Sequence, residues 1–241
     1  MTERQLSVVS VGAHQDDELG CLGTLIRYRA EGSRITTVSL SNGDKGGQHD
    51  PTIPNSVIAQ TRIAEATRMV AELGGKYYCL GLEDGFVFDS RDIRLALTEV
   101  LRSVEADVVL TLPPSDYNND HIMAGQIALH ASLMAAINVI HGSAPPLPRA
   151  PTVLFMDTIV GLDFQPTHYV DISDQFAEKA RLLRMHDSQM RSQPNITGWD
   201  LVTHAEVVGR FRGQQCGVRY AEGFTPALRT PLLRPGWVLP G

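Results

Sequence analysis

Short apolar runs alternate along this chain with stretches whose apolar positions recur every three to four residues. Continuous apolar runs of strand length suit a sheet buried on both faces, and the 3.6-residue period places helices over it. Leu6 to Gly12 reads as a first strand, and Leu19 to Ala30 as a helix closed by Gly32. Ile35 to Leu40 is a second strand, and Ile58 to Leu73 an amphipathic helix ending at Gly74-Gly75. Lys76 to Leu82 and Asp107 to Leu112 follow as strands, with a helix over Ile93 to Val104 between them and a long helix over His121 to Ile140 beyond. After the Pro-rich turn Ala144 to Pro151, Thr152 to Ile159 and His168 to Ile172 read as later strands. Ser173 then caps a helix running to about Gln189, and the Pro- and Gly-rich end, about 224–241, reads as irregular. Strands alternating with helices predict an α/β fold, Rossmann-like, with a mostly parallel twisted sheet and helices on both faces. No repeat or composition break divides the chain, so 1–241 is expected to be a single domain.

Two polar stretches interrupt this alternation, Ser41 to Asn55 and Pro113 to Asp120. The first is long for a loop inside a compact domain, and such loops are more often functional than idle. The 241 residues are 43% hydrophobic and 20% charged, an ordinary globular balance that excludes a disordered or fibrous chain. A formal charge of −6 with scattered Lys and Arg argues against a nucleic-acid partner. Cys21, Cys79 and Cys216 are odd in number and far apart, which predicts buried thiols in a reducing compartment. The most apolar long stretch, Ile127 to Ile140, falls short of the roughly 20 residues of a membrane span. With no targeting segment visible at the start, a soluble cytoplasmic protein is expected, and a homo-oligomer is allowed.

The first strand runs directly into Gly12-Ala13-His14-Gln15-Asp16-Asp17-Glu18. In open α/β sheets ligands bind beyond the carboxyl ends of the strands. A dinucleotide site would place glycines there, whereas this loop offers an imidazole and three carboxylates and has no GxGxxG, so an oxidoreductase is disfavoured. Carboxylates that close raise one another's pKa unless a cation neutralises them, and a divalent metal does so. A catalytic zinc takes about three protein ligands and an open position. His14 and one Asp supply two. Asp116-Tyr117-Asn118-Asn119-Asp120-His121 also follows a strand and is the obvious donor of a third, with Asp120 placed to orient an imidazole or simply to cap the helix.

Ala13-His14-Gln15-Asp16-Asp17-Glu18-Leu19-Gly20-Cys21-Leu22-Gly23-Thr24 resembles the signature of the PIG-L/LmbE-like de-N-acetylase family, usually AHPDDE before a GCGGT-like helix start. Arg62-Ile-Ala-Glu65 with Ala71-Glu-Leu-Gly74 is similar to the family's R-x-x-E helix, and Asp84 falls where a family acid follows the third strand. Val170-Asp171-Ile172-Ser173, Lys179, His186-Asp187-Ser188-Gln189 and Tyr220-Ala-Glu222-Gly-Phe224 resemble its later blocks. The resemblance implies a metal-dependent hydrolase that removes an N-acyl group, usually acetyl, from an amino sugar or its conjugate.

By the same resemblance His14, Asp17 and His121 become metal ligands and Asp16 the general base. Arg62, Asp84, Asp44 and Tyr117 would face the substrate, with Asp120 and His186 supporting the ligands from behind. The ligand types suit Zn²⁺, and also Fe²⁺, Co²⁺ or Mn²⁺. Two departures stand out. Gln15 replaces the usual Pro, and Asn118 replaces the His that the family is thought to use at the oxyanion. An amide donates a hydrogen bond but supplies no proton. The alternative implied by Asn118 is a catalytically impaired sugar-binding or regulatory protein that keeps fold and metal. A small N-acylated sugar is the expected partner, with no nucleic acid and no membrane span.

Overall fold

The computed structural model describes residues 5–227, 239 and 240. In chain order the elements are β1 (Ser7–Gly12), a 3-10 turn (Asp17–Gly20), α1 (Leu22–Ala30), β2 (Arg34–Ser41), α2 (Asn55–Glu72), β3 (Lys76–Leu82) and α3 (Arg91–Ser103). They continue as β4 (Val108–Thr111), α4 (Asn119–Ala135), β5 (Thr152–Met156), β6 (His168–Asp171), α5 (Phe176–Leu183), α6 (Asp187–Thr197), α7 (Leu201–Cys216) and β7 (Ala221–Pro226).

The strands form one sheet in the order β3-β2-β1-β4-β5-β7-β6. The first five run parallel, with Val8 opposite Ile35 on one side and Val108 on the other. β7 enters antiparallel between β5 and β6. Every residue of β1 and of β4 is buried, as strands covered on both faces must be. The core follows from this: Val8, Val9, Val11, Val108, Val109 and Leu110 are wholly buried, with Leu22, Leu25, Met69, Leu97, Leu101 and Ile127 packed over them from the helices. The strand order reverses between β1 and β4, so their carboxyl ends open a crevice where ligands of such sheets bind.

Three expectations are corrected. The long helix stops at Ala135 instead of Ile140. Arg102 of α3, buried beneath it, donates to the carbonyls of Met134, Ala135, Ile137 and Ile140 and holds that chain end in turns. The expected helix from Ser173 is two helices, broken where His186 turns inward and its Nε2 meets Glu18 Oε1 at 2.7 Å; Ser173 caps neither and instead donates its hydroxyl to Asp171. Residues 224–226 belong to a strand, and α7 before it was not anticipated. Residues 228–238 of the expected irregular end lie outside the described residues.

Candidate active site

The loop after β1 is folded around one carboxylate. Asp17 Oδ2 accepts from Ala13 N at 2.7 Å and His14 N at 2.9 Å. A Cβ at Gly12 would lie 2.6 Å from Asp17 Cβ, so this tight return requires glycine. With Oδ2 engaged, Oδ1 points at two imidazoles, 3.7 Å from His14 Nδ1 and 3.3 Å from His121 Nε2. His121 arrives from the first turn of α4, across the crevice, and its Nε2 lies 3.2 Å from His14 Nδ1. Two ring nitrogens and a carboxylate oxygen therefore converge on one point.

The outer nitrogens lean on further carboxylates. His14 Nε2 lies 3.0 Å from Asp84 Oδ1 and 3.6 Å from Asp120 Oδ2. His121 Nδ1 lies 3.2 Å from Asp116 Oδ1, at ion-pair distance but without a hydrogen-bonding angle. Asp120 thus serves His14 from the other loop, not its neighbour His121. It also accepts from Gly85 N and Val87 N, fastening the loop after β3 to α4. Asp116, which sequence reasoning quoted but gave no role, is the carboxylate behind His121.

Among the described residues two sets could hold a metal, His14-Asp17-His121 and His14-Asp84-Asp120, and they share His14. The first offers two imidazole nitrogens and a carboxylate oxygen aimed at the same point. In the second, Asp120 already accepts two backbone N–H groups and Asp84 faces Arg62. The first set fits a divalent cation, and the second fits the carboxylates that orient a metal-binding histidine.

Charge points the same way. Burial opposes a proton on His14, but hydrogen bonds to Asp120, Asp17 and Asp84 outweigh it and raise its pKa well above the ordinary histidine value. Burial likewise resists protonation of His121, yet the charge of Asp17 and the contact with Asp116 raise its pKa. Burial opposes ionisation of Asp17, but the two histidines hold its carboxyl well below the usual range. The site draws protons onto its histidines to balance its acids. A bound divalent cation would replace that charge and release those protons.

Asp16, nearly buried, stands outside the converging set. Its Oδ1 accepts from Arg62 Nη2 at 2.8 Å. Arg62, expected at the substrate, lines the crevice, but its guanidinium is committed to Asp16, to Gly43 O at 3.1 Å and to Asp84 Oδ2 at 3.4 Å. Gly43 has φ +67, and a Cβ there would collide with Gln15 and Arg62. Gln15, in place of the family's Pro, donates Nε2 to Ser41 O at 3.0 Å and ties the loop to the end of β2.

Asn118 caps α4, its Oδ1 accepting from Asp120 N at 2.9 Å. It also lines the crevice, and its Nδ2 has no hydrogen-bond partner among the described residues. Tyr117 is 70% exposed, with its ring edge-on to His121, and partial desolvation together with the charge of Asp17 pushes its pKa up to about 12. Asp44 does not line the crevice; it accepts from Asp84 N at 3.0 Å and from Lys45 Nζ at 2.6 Å, bracing the loop that carries Asp84. His186 lies behind the first loop against Glu18, and His49 is engaged with Ser192 Oγ at 2.7 Å.

The crevice holds a cavity of about 300 Å³. Gln189, the last residue of the His186–Gln189 block, also lines it. The further lining that sequence reasoning missed includes Lys45 and Gln48 from the polar loop, Gln193 of α6, and Ile159, Ile196 and Leu201. Only the length of the polar loop signalled any of these, since the others sit on segments with no motif.

The family described as GlcNAc-PI de-N-acetylase, PIG-L, matches residues 9–132. Diacetylchitobiose deacetylase of Thermococcus kodakarensis is 27% identical over 236 residues, covering 92% of this chain and 84% of that protein. A 1D-myo-inositol 2-acetamido-2-deoxy-alpha-D-glucopyranoside deacetylase of Streptomyces griseus is 30% identical over 163 residues, covering 56% of this chain and 51% of that protein. Among solved structures, 4-carboxy-2-hydroxymuconate hydratase of Pseudomonas putida superposes with a TM-score of 0.81 at 22% identity, covering 97% of this chain and all of that one, a likeness of fold. Because the family match runs through both strand-end loops and spans half of the chain, the protein belongs to the PIG-L family of GlcNAc-PI de-N-acetylases.

Proposed function

We propose that this protein is a metal-dependent amide hydrolase that removes the acetyl group from an N-acetylated amino sugar or its conjugate. The observation that carries this reading is the division of labour in one loop. Asp17 aims its free oxygen at the two histidines, while its neighbour Asp16 is held apart by Arg62. His14 Nδ1, Asp17 Oδ1 and His121 Nε2 would hold the metal, Zn²⁺ by ligand type, with Fe²⁺, Co²⁺ and Mn²⁺ also suited. When bound, it supplies a Lewis acid that polarises the amide carbonyl and acidifies water.

The remaining chemistry belongs to side chains. Arg62 fixes Asp16 Oδ1, so the other oxygen is the one available to take the proton of the attacking water. Asn118 presents its Nδ2 to the developing oxyanion, because its Oδ1 is already spent on the helix cap. An amide has no proton to give to the departing amine, so Asp16 returns the one it took. His14 and His121 keep their orientation through Asp84, Asp120 and Asp116. Three free cysteines support a cytoplasmic setting.

The test is acetate release by protein loaded in turn with each of the four metals. The substrates are N-acetylglucosamine, diacetylchitobiose and an inositol-linked N-acetylglucosamine. Metal-dependent release from at least one supports the reading. A protein that binds the metal and releases no acetate from any of them overturns it in favour of a binding role or another reaction.

A further inference from the structure

The cavity beside the two histidines is lined by Lys45, Gln48, Gln189 and Gln193 and also by the apolar Leu112, Ile159, Ile196 and Leu201. Of twelve large apolar residues exposed among the described residues, Tyr117 and Ile196 line the cavity, and Val160, Leu162 and Trp199 lie within three residues of a lining position along the chain. Tyr117 is on the loop before α4, Val160 and Leu162 follow Ile159 after β5, and Ile196 and Trp199 lie at the end of α6. The first two segments touch, Ser115 Oγ donating to Asp163 O at 3.2 Å, and Thr197 Oγ1 donates to Trp199 O at 3.0 Å within the third. Exposed apolar residues gathered on segments beside a cavity mark a binding site more often than ones scattered singly.

Size and charge narrow the occupant. About 300 Å³ is the lower end of small-molecule pockets, enough for one sugar-sized group. Whatever is attached to that sugar must therefore rest on the mouth. The only Lys or Arg among the described lining residues are Lys45 and Arg62. Lys45 already sits 2.6 Å from Asp44 and 2.8 Å from Glu83, and Arg62 is paired with Asp16 and Asp84. Neither is left to receive a phosphate or a carboxylate.

We infer that the substrate is an N-acetylated amino sugar carrying an uncharged apolar aglycone, an alkyl or aryl group, which lies across Trp199, Leu162, Val160 and Tyr117. This inference rests on the deacetylase reading for the reaction but not for the binding surface. Burying a few methylenes on this surface is worth at least about tenfold in affinity.

The experiment compares methyl and octyl N-acetylglucosaminides as substrates below micellar concentration. It also measures binding of the methyl and octyl glucosaminide amines by calorimetry, which needs no turnover. The octyl compounds are expected to show at least about tenfold higher kcat/KM, carried by KM, and a correspondingly lower Kd. Trp199→Ser and Leu162→Ser should erase the octyl advantage and leave the methyl glycoside's kcat/KM unchanged. Equal affinity for methyl and octyl amines overturns the inference, as does an advantage that survives both substitutions. A dimer by light scattering that Trp199→Ser dissociates also overturns it, since the surface would then be an interface between copies. Tighter octyl binding without acetate release from any glycoside keeps the apolar surface and sinks the deacetylase reading instead.

Discussion

Two of the buried charge clusters are built on opposite principles. In one, Glu222 of β7 accepts from Gly23 N, Thr24 N and Thr24 Oγ1 at the start of α1 and from Lys179 Nζ of α5, all within 2.8 Å. The carboxylate meets a helix N-terminus and a buried ammonium, so charges cancel and its oxygens are supplied with donors. In the other, Asp17, Asp84, Asp116 and Asp120 surround two histidines whose nitrogens face each other at 3.2 Å. That set balances only with added positive charge. The first cluster is complete within the chain and holds elements together. The second is complete only with something the chain does not encode, which is the property of a binding site.

This contrast predicts that changes in one cluster alter chemistry and changes in the other alter stability. The largest effect is expected for Asp16→Asn, which should lower the turnover rate on the order of 10²–10⁴ with metal content unchanged. Steady-state kinetics beside elemental analysis checks it, and a variant nearly as active as the parent would remove Asp16 as the base.

Lys179→Met leaves Glu222 buried without its cation and should cost about 3–5 kcal/mol of stability in denaturant unfolding. Turnover per folded molecule should stay at the parent level. A loss of activity without a loss of stability would break the comparison.

Asn118 joins the two kinds of role in one side chain. Asn118→Ala should raise the barrier by about 3 kcal/mol or less and lower stability by about 1 kcal/mol through the lost cap. Asn118→Asp keeps an oxygen for Asp120 N but no donor, so it should lose rate while retaining the stability. An equal rate in all three proteins would assign Asn118 to the cap alone.

The smallest expected effect is in metal affinity. Asp120→Asn and Asp116→Asn should each weaken it by about 10–100-fold, read by competition with a chelator, because each removes a carboxylate behind a metal-binding histidine. Unchanged affinity in both would mean that the histidines are held by packing.

What the amino-acid sequence determined by itself is what depends on near neighbours. Val8 to Val11 is a run that only a doubly covered strand accommodates, so His14, Asp16 and Asp17 had to emerge at a strand end. The same logic put Asp116 to His121 at the end of β4. Their meeting followed from the preference of open α/β sheets for sites at carboxyl ends. Motif order along the chain sufficed for the family, and helix periodicity for α2, α3 and most of α4.

Tertiary structure decided everything that depends on distances between remote segments. Asp120 turned away from His121 to His14, and Asp116 took its place, because the orientation of an imidazole is set by which loops cross it. Arg62 became the clamp on Asp16, since only the packing of α2 against the loop brings a guanidinium 2.8 Å from that carboxylate. α5 and α6 separated at His186 because Glu18 lies within reach of its ring, a contact 168 residues apart in the chain. β7 escaped notice because it buries a carboxylate, Glu222, which is tolerable only once α1 and Lys179 have supplied its donors.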